Sequence, residues 1–215
     1  MKAARKLISR ILRFPRGAKS EDELRRLWFT QIVVLSGSGF LIGYGLLHFA
    51  MGFPRIGTVD VAIGLLYSLP ILLLRYDWHL SARLFHVLAS TAVVVSFSST
   101  FGKEAGIQYA ATFGMATGIF MFGAKRKGLA LLAVVLPGLG WAGLDHSNFQ
   151  LLQLPIDVPR EVALFIGHTM PVNMVVLFFL VSSYFDRLYS AALHDLEEGR
   201  AMQVRASRLA TIGQM

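Results

Sequence analysis

The chain reads as an all-α polytopic membrane protein, with six transmembrane helices, both termini cytoplasmic, and a signalling helix at the end. Three observations predict this. Hydrophobic residues make up 54% of the 215 positions and charged residues 16%, beyond the ~45–50% apolar share of soluble domains even with glycine counted. Six apolar stretches reach or approach the ~20 residues that cross a bilayer. The Lys and Arg residues divide unevenly between the loops, 18 on one side and 3 on the other, as the positive-inside rule expects of a membrane protein.

Residues 1–27 read as a basic cytoplasmic amphipathic segment. In KAARKLISRILRF, Ala4, Leu7, Ile8, Ile11 and Leu12 recur at helical spacing with Lys and Arg between them, the pattern of a helix lying on the inner leaflet. Pro15 ends it, and Ser20-Glu21-Asp22-Glu23 fits a capping box that starts the next helix. The charge-free run from Leu27 to Pro54 is 28 residues long. That exceeds the ~7–15 residues of a signal-peptide core, so it reads as a retained span.

A six-helix sensor domain over 28–185 follows. Its spans lie near Trp28–Gly52, Thr58–Leu74 with Asp60 at the outer edge, Ser81–Phe101, Ile107–Gly123, Gly128–Leu144 and Val162–Phe185, the second and fifth being short. The basic residues before Trp28, then Arg75 and Arg83, then AKRKG at 124–128, then Arg187, Arg200, Arg205 and Arg208 mark the cytoplasmic side; Arg55, Lys103 and Arg160 fall outside. Pro70, Pro137 and Pro171 lie within spans two, five and six, where each removes a backbone hydrogen bond and favours a kink. Gly39-x-x-x-Gly43 and GMATG at 114–118 offer small residues for close helix packing, inside the bundle or between two copies. The chain shows no internal repeat of the kind inverted-repeat transporters carry.

The net charge of +8 lies mostly beside apolar runs, so it points to the membrane face and away from nucleic acid. With no cysteine, disulfides, zinc–thiolate sites and iron–sulfur clusters are excluded. No span carries Asp, Glu, Lys or Arg near its middle, which argues against a transporter or channel. Polar and aromatic residues gather toward the outer half, and Tyr44, His48, Phe97, Gln108, Tyr109, Trp141, His168 and Asn173 are the candidates to line an apolar pocket with a few orienting groups. Aromatic residues also collect at membrane interfaces in proteins without such a pocket. His48 and His168, even with Asp145, His146 and Asp157 in the outer loop, lack paired ligand spacing, so no metal or haem site is expected. His79 and His86 are expected at headgroups or neighbouring loops, where protonation could report pH. No nucleophile elbow, phosphate loop or catalytic carboxylate pair occurs, so the 215 residues hold no catalytic residue and need no cofactor.

Residues 186–215 are helix-compatible, a length of ~45 Å at 1.5 Å per residue. Leu193/Leu196 and Leu209/Ile212 each fit one turn of an a/d seam, but Leu193 and Leu209 are 16 residues apart, which is not a multiple of seven. The seam therefore breaks phase near Gly199, and these five residues are the expected signal-transmitting positions. RASRLATIGQM at 205–215 resembles the segment just before the phosphoacceptor box of sensor histidine kinases, with Leu209, Ala210, Ile212, Gly213 and Met215 at the matching places. The acceptor histidine is not among the 215 residues, so the resemblance implies an input region followed by a dimerisation and phosphotransfer domain, with ATP and Mg needed only there.

The membrane part is similar, in topology and in its FGKEAGIQY (101–109) and FGAKRKGLALLA (122–133) connections, to the six-helix input domains of quorum-sensing kinases that detect α-hydroxyketones. A related domain type occurs on some bacterial adenylate cyclases. The resemblance implies a two-component receptor of the bacterial inner membrane, binding a small apolar signal, dimerising through its signalling helix and addressing a response regulator through the following domains. The alternatives are an adenylate cyclase input domain or a small transporter or channel.

Overall fold

Ser20 starts the helical part, its side chain accepting a hydrogen bond from the Glu23 backbone N–H at 3.2 Å, as the capping-box reading expects. The computed structural model describes residues 20–123, 126–179 and 181–183. Among them all regular structure is helical: α1 (Glu21–Ala50), α2 (Pro54–Tyr67), α3 (Leu69–Arg75), α4 (His79–Phe101), two 3-10 turns (Lys103–Ala105 and Ile107–Tyr109), α5 (Ala110–Phe122) and α6 (Lys127–His146), then α7 (Arg160–Ser183). The basic N-terminal segment up to residue 19, and Leu193, Leu196, Gly199, Leu209 and Ile212, lie outside the described residues.

Five elements are long and apolar enough to cross a membrane: α1, the α2–α3 pair taken together, α4, α6 and α7. The fourth expected span is the short one. α5 has 13 residues, ~20 Å at 1.5 Å per residue against a hydrocarbon core of ~30 Å, and even with its preceding 3-10 turn the apolar helix runs only from Ile107 to Phe122. The fifth span, expected to be short, is a full 20-residue helix. The second is not one helix. Ser68 closes α2 while its hydroxyl bonds the Leu65 carbonyl at 2.6 Å, and α3 restarts with Pro70 in its first turn, where the missing N–H costs nothing. Pro137 and Pro171, by contrast, sit inside uninterrupted helices.

The chain forms two compact units that divide after Pro171. In the first, an apolar core is joined by buried polar side chains, and the outer surface is apolar too. Leu46, Leu65, Leu72, Leu88, Leu131 and Leu139 face outward, whereas Thr30, Gln31, His48, Asp60, His86, Ser98 and Thr117 are buried. Exposed leucines on every long helix with hydroxyls and imidazoles inside suit a surrounding of lipid. In the second unit, the described part is helical and presents Val172, Val175, Val176, Phe178 and Phe179 outward.

α1 and α2 form a tight antiparallel hairpin through glycines other than the predicted pair. A Cβ on Gly45 would stand 2.6 Å from Val61 Cγ2 and 2.8 Å from the Gly57 carbonyl oxygen, and one on Gly37 would stand 2.6 Å from the Tyr67 ring. Gly39 and Gly43 meet nothing within 4 Å. In the second motif, a Cβ on Gly118 would stand 2.5 Å from Ala133 Cβ, whereas one on Gly114 would meet nothing within 4 Å. α4 is the hub and touches α1, α2, α3, α5 and α6.

Two buried polar pairs tie α2 to its neighbours, one to α1 and one to α4. One is the His48–Asp60 pair. In the other, Tyr67 Oη lies 3.0 Å from His86 Nδ1, with His86 only 2% exposed. This corrects the expectation that His86 meets headgroups: it faces inward because Gly37 leaves room for the Tyr67 ring beside it. His79 is nearer the expectation, 3.8 Å from Glu23 and 3.5 Å from Asp77 at the helix ends.

Candidate functional site

Pro54 at the first turn of α2 sets the hairpin so that His48 and Asp60, six residues on either side, come level. His48 Nδ1 lies 2.6 Å from Asp60 Oδ2, and both side chains are almost wholly enclosed. Asp60 is thus the seventh residue of its helix, ~9 Å beyond its start, and buried against α1. The sequence placed it at the edge of the span. That correction weakens the exclusion of transport, which rested on polar charge staying out of the spans. The centres of the spans remain free of Asp, Glu, Lys and Arg, as read from the sequence.

Around the imidazole, Phe101 from α4 stacks at a centroid distance of 6.5 Å and Tyr44 lies at 6.1 Å. Phe97 packs on Phe101 at 5.6 Å. Tyr44 Oη is 2.7 Å from Thr169 Oγ1 on α7, and Thr169 in turn reaches the Phe165 carbonyl at 3.1 Å. His48 Nε2 is buried and has no hydrogen-bond partner. In the neutral ring bonded to a carboxylate through Nδ1–H, Nε2 carries a lone pair; in the imidazolium it carries a proton. Either form leaves one strong hydrogen-bonding atom unused in an aromatic cage, the kind of group that orients a ligand in an apolar site.

The cage is roofed from one end. Ile56, Phe101, Ala105, Ile107, Val162 and Ile166 form its apolar core, and the loop after α6 is tied down by Leu152 N–H to Ser99 Oγ at 3.2 Å and Leu154 N–H to Thr100 Oγ1 at 2.8 Å. Gly106, with φ +67°, allows the two 3-10 turns to fold back on each other, a conformation glycine adopts without strain.

Of the eight predicted lining residues, Tyr44, His48 and Phe97 meet here. Gln108 is buried in the neighbouring turn, its amide donating to the Lys103 carbonyl at 3.2 Å while Oε1 is unpartnered. Tyr109 and Trp141 pair edge to face at 5.9 Å, and Trp141 borders a separate small crevice with Ser90, Thr91, Gly114 and Pro137. His168 faces outward and bonds the Leu164 carbonyl of its own helix at 2.6 Å. Asn173 belongs to the second unit. Sequence reasoning missed Asp60, Phe101 and Thr169. For Asp60 a signal existed, since a hairpin centred on Pro54 pairs it with His48; for Thr169 none did, because nothing in the sequence says which face of α7 meets α1. Among the described residues, no group of three or more His, Cys, Asp or Glu could hold a metal.

No protein-family model, curated protein or solved structure matches the chain.

Proposed function

We propose that the chain is the membrane input region of a signalling protein, with six spans, both termini in the cytoplasm, and a small, largely apolar molecule bearing one polar group as its signal. The observation that supports this reading is the Tyr44–Thr169 bond beside the unpartnered His48 Nε2. A ligand that engages Nε2 also touches the residue linking α1 to α7, and α7 leads toward the tail that resembles a kinase signalling helix. A ligand shifts a two-state equilibrium only by its differential affinity for the two states; here the Tyr44–Thr169 bond is the element that would differ. Downstream, the phase break near Gly199 would carry the change as one of two seam packings.

The orientation is supported by charge. Arg26 reaches the Phe120 carbonyl and Glu23 meets His79, so Arg25, Arg26, Arg75, Arg83, Arg126 and Lys127 share one end of the bundle, which positive-inside makes cytoplasmic.

The test uses the full-length parent protein with the domains that follow Met215, and a series of medium-chain α-hydroxyketones. Tyr44→Phe and Thr169→Val should each remove the ligand-dependent change in autophosphorylation while leaving membrane insertion and basal output within twofold. Unchanged ligand response in both variants defeats the reading. A second reading, proton-coupled transport, is favoured by the buried His48–Asp60 pair, because ionisable pairs inside spans commonly mark proton relays. Proton flux into liposomes that is lost in Asp60→Asn would establish it.

A further inference from the structure

A different part of the molecule holds an unmatched charge. Arg83 stands one turn, ~6 Å, inside the start of α4, is 2% exposed, and has neither Nε nor Nη2 hydrogen-bonded. A guanidinium stays charged under all ordinary conditions, and a buried charge without partners is costly enough that native structures supply one. Among the described residues none supplies it. Arg26 already spends its fork on Asp22 at 3.1 and 3.2 Å and on the Phe120 carbonyl at 2.7 Å, which leaves the Asp22 carboxylate engaged elsewhere. The charges that act on Arg83 are Arg126, Glu23, Arg26 and Asp22; the two carboxylates leave three guanidiniums with an excess of positive charge. α6 opens at the same end without a side-chain cap, so its first N–H groups add to the positive potential.

We propose that Arg83, flanked by Arg26 and Arg126, is an anion site for a phosphate group at the inner end of the bundle, either the headgroup phosphate of an anionic lipid or a free phosphate. The fork of Nε and Nη2 matches two phosphate oxygens side by side, the bidentate geometry in which arginine binds phosphate most strongly. The site is at the level of the membrane–water interface, where headgroup phosphates are abundant. It is independent of the outer cage, so its fate says nothing about the proposed signal.

The purified 215-residue protein is examined by native mass spectrometry after equilibration in micelles containing phosphatidylglycerol and phosphatidylcholine in equal amounts, with and without inorganic phosphate. The wild type should retain phosphatidylglycerol over phosphatidylcholine by about tenfold or more: both carry the phosphate, but the choline ammonium cancels its charge, and only the net anion answers the positive excess around Arg83. Arg83→Met should abolish that preference and, having no buried charge to satisfy, should unfold in pure phosphatidylcholine no more easily than the wild type. Loss of the retained lipid on adding inorganic phosphate, with phosphate adducts in its place, assigns the site to the free anion. A wild type that shows neither lipid preference nor phosphate adducts overturns the proposal, as does an Arg83→Met protein that keeps the preference.

Discussion

Asp60→Ala is the sharpest probe of the cage around His48. It removes the acceptor 2.6 Å from His48 Nδ1, and because Nε2 already lacks a partner the imidazole would be left with both nitrogens bare. As an ion pair, charges at that separation attract by about 6 kcal/mol at an effective dielectric of ~20. Desolvation offsets most of it, since the side chains are only 1% and 4% exposed. Removing one partner of such a pair costs about 3–5 kcal/mol, whereas replacing both by apolar groups of similar size is often neutral or stabilising. The single variant should therefore lose about 3–5 kcal/mol of unfolding free energy, and His48→Phe/Asp60→Leu should fall within about 1 kcal/mol of the wild type. Reversible unfolding in mixed micelles, followed by tryptophan fluorescence, measures both. A cost below about 1 kcal/mol for Asp60→Ala, or a double variant as unstable as the single, would refute the claim that the pair is buried and mutually dependent.

The hairpin glycines make a paired prediction. Gly45→Leu, whose Cβ alone would stand 2.6 Å from Val61, should destabilise by about 1–3 kcal/mol or more, whereas Gly39→Leu, with nothing within 4 Å, should stay within about 0.5 kcal/mol; the same unfolding titration decides it. Topology is checked by reporter fusions. Those after Lys127 should be cytoplasmic and those within residues 145–160 periplasmic, and a periplasmic signal at Lys127 would invert the charge argument.

Hydropathy found the long helices because a span must be apolar along its whole length, and that demand is written residue by residue. It set α1, α4, α6 and α7 nearly in place. It could not show the break at Ser68, since the apolar run continues through it and the interruption comes from a serine hydroxyl competing for a backbone carbonyl two residues before Pro70. Nor could it tell which glycines pack: Gly39-x-x-x-Gly43 has the right spacing on the wrong face of α1, and facing direction depends on where α2 lands. The candidate site was legible by its residue types alone. Tyr44, His48 and Phe97 were found as outer-half polar and aromatic residues, while Tyr109, Trp141 and His168 share that description and stand elsewhere, because depth along a helix is periodic in the sequence and azimuth against a distant partner is not.

Arg26 offers a last consequence, for the order in which the bundle assembles. Its hydrogen bond to Phe120 joins residues 94 positions apart, and Phe29 and Phe120 stack edge to face at 5.9 Å just above it. Until α5 has been made, Arg26 has the Asp22 carboxylate beside it but not yet the Phe120 acceptor. The later arrival of α5 supplies the acceptor and draws the first helix against the fifth. Contacts this distant in sequence form slowly because the loop must close before they reward it. The joint between α1 and α5 accordingly forms only once α5 has followed four earlier helices.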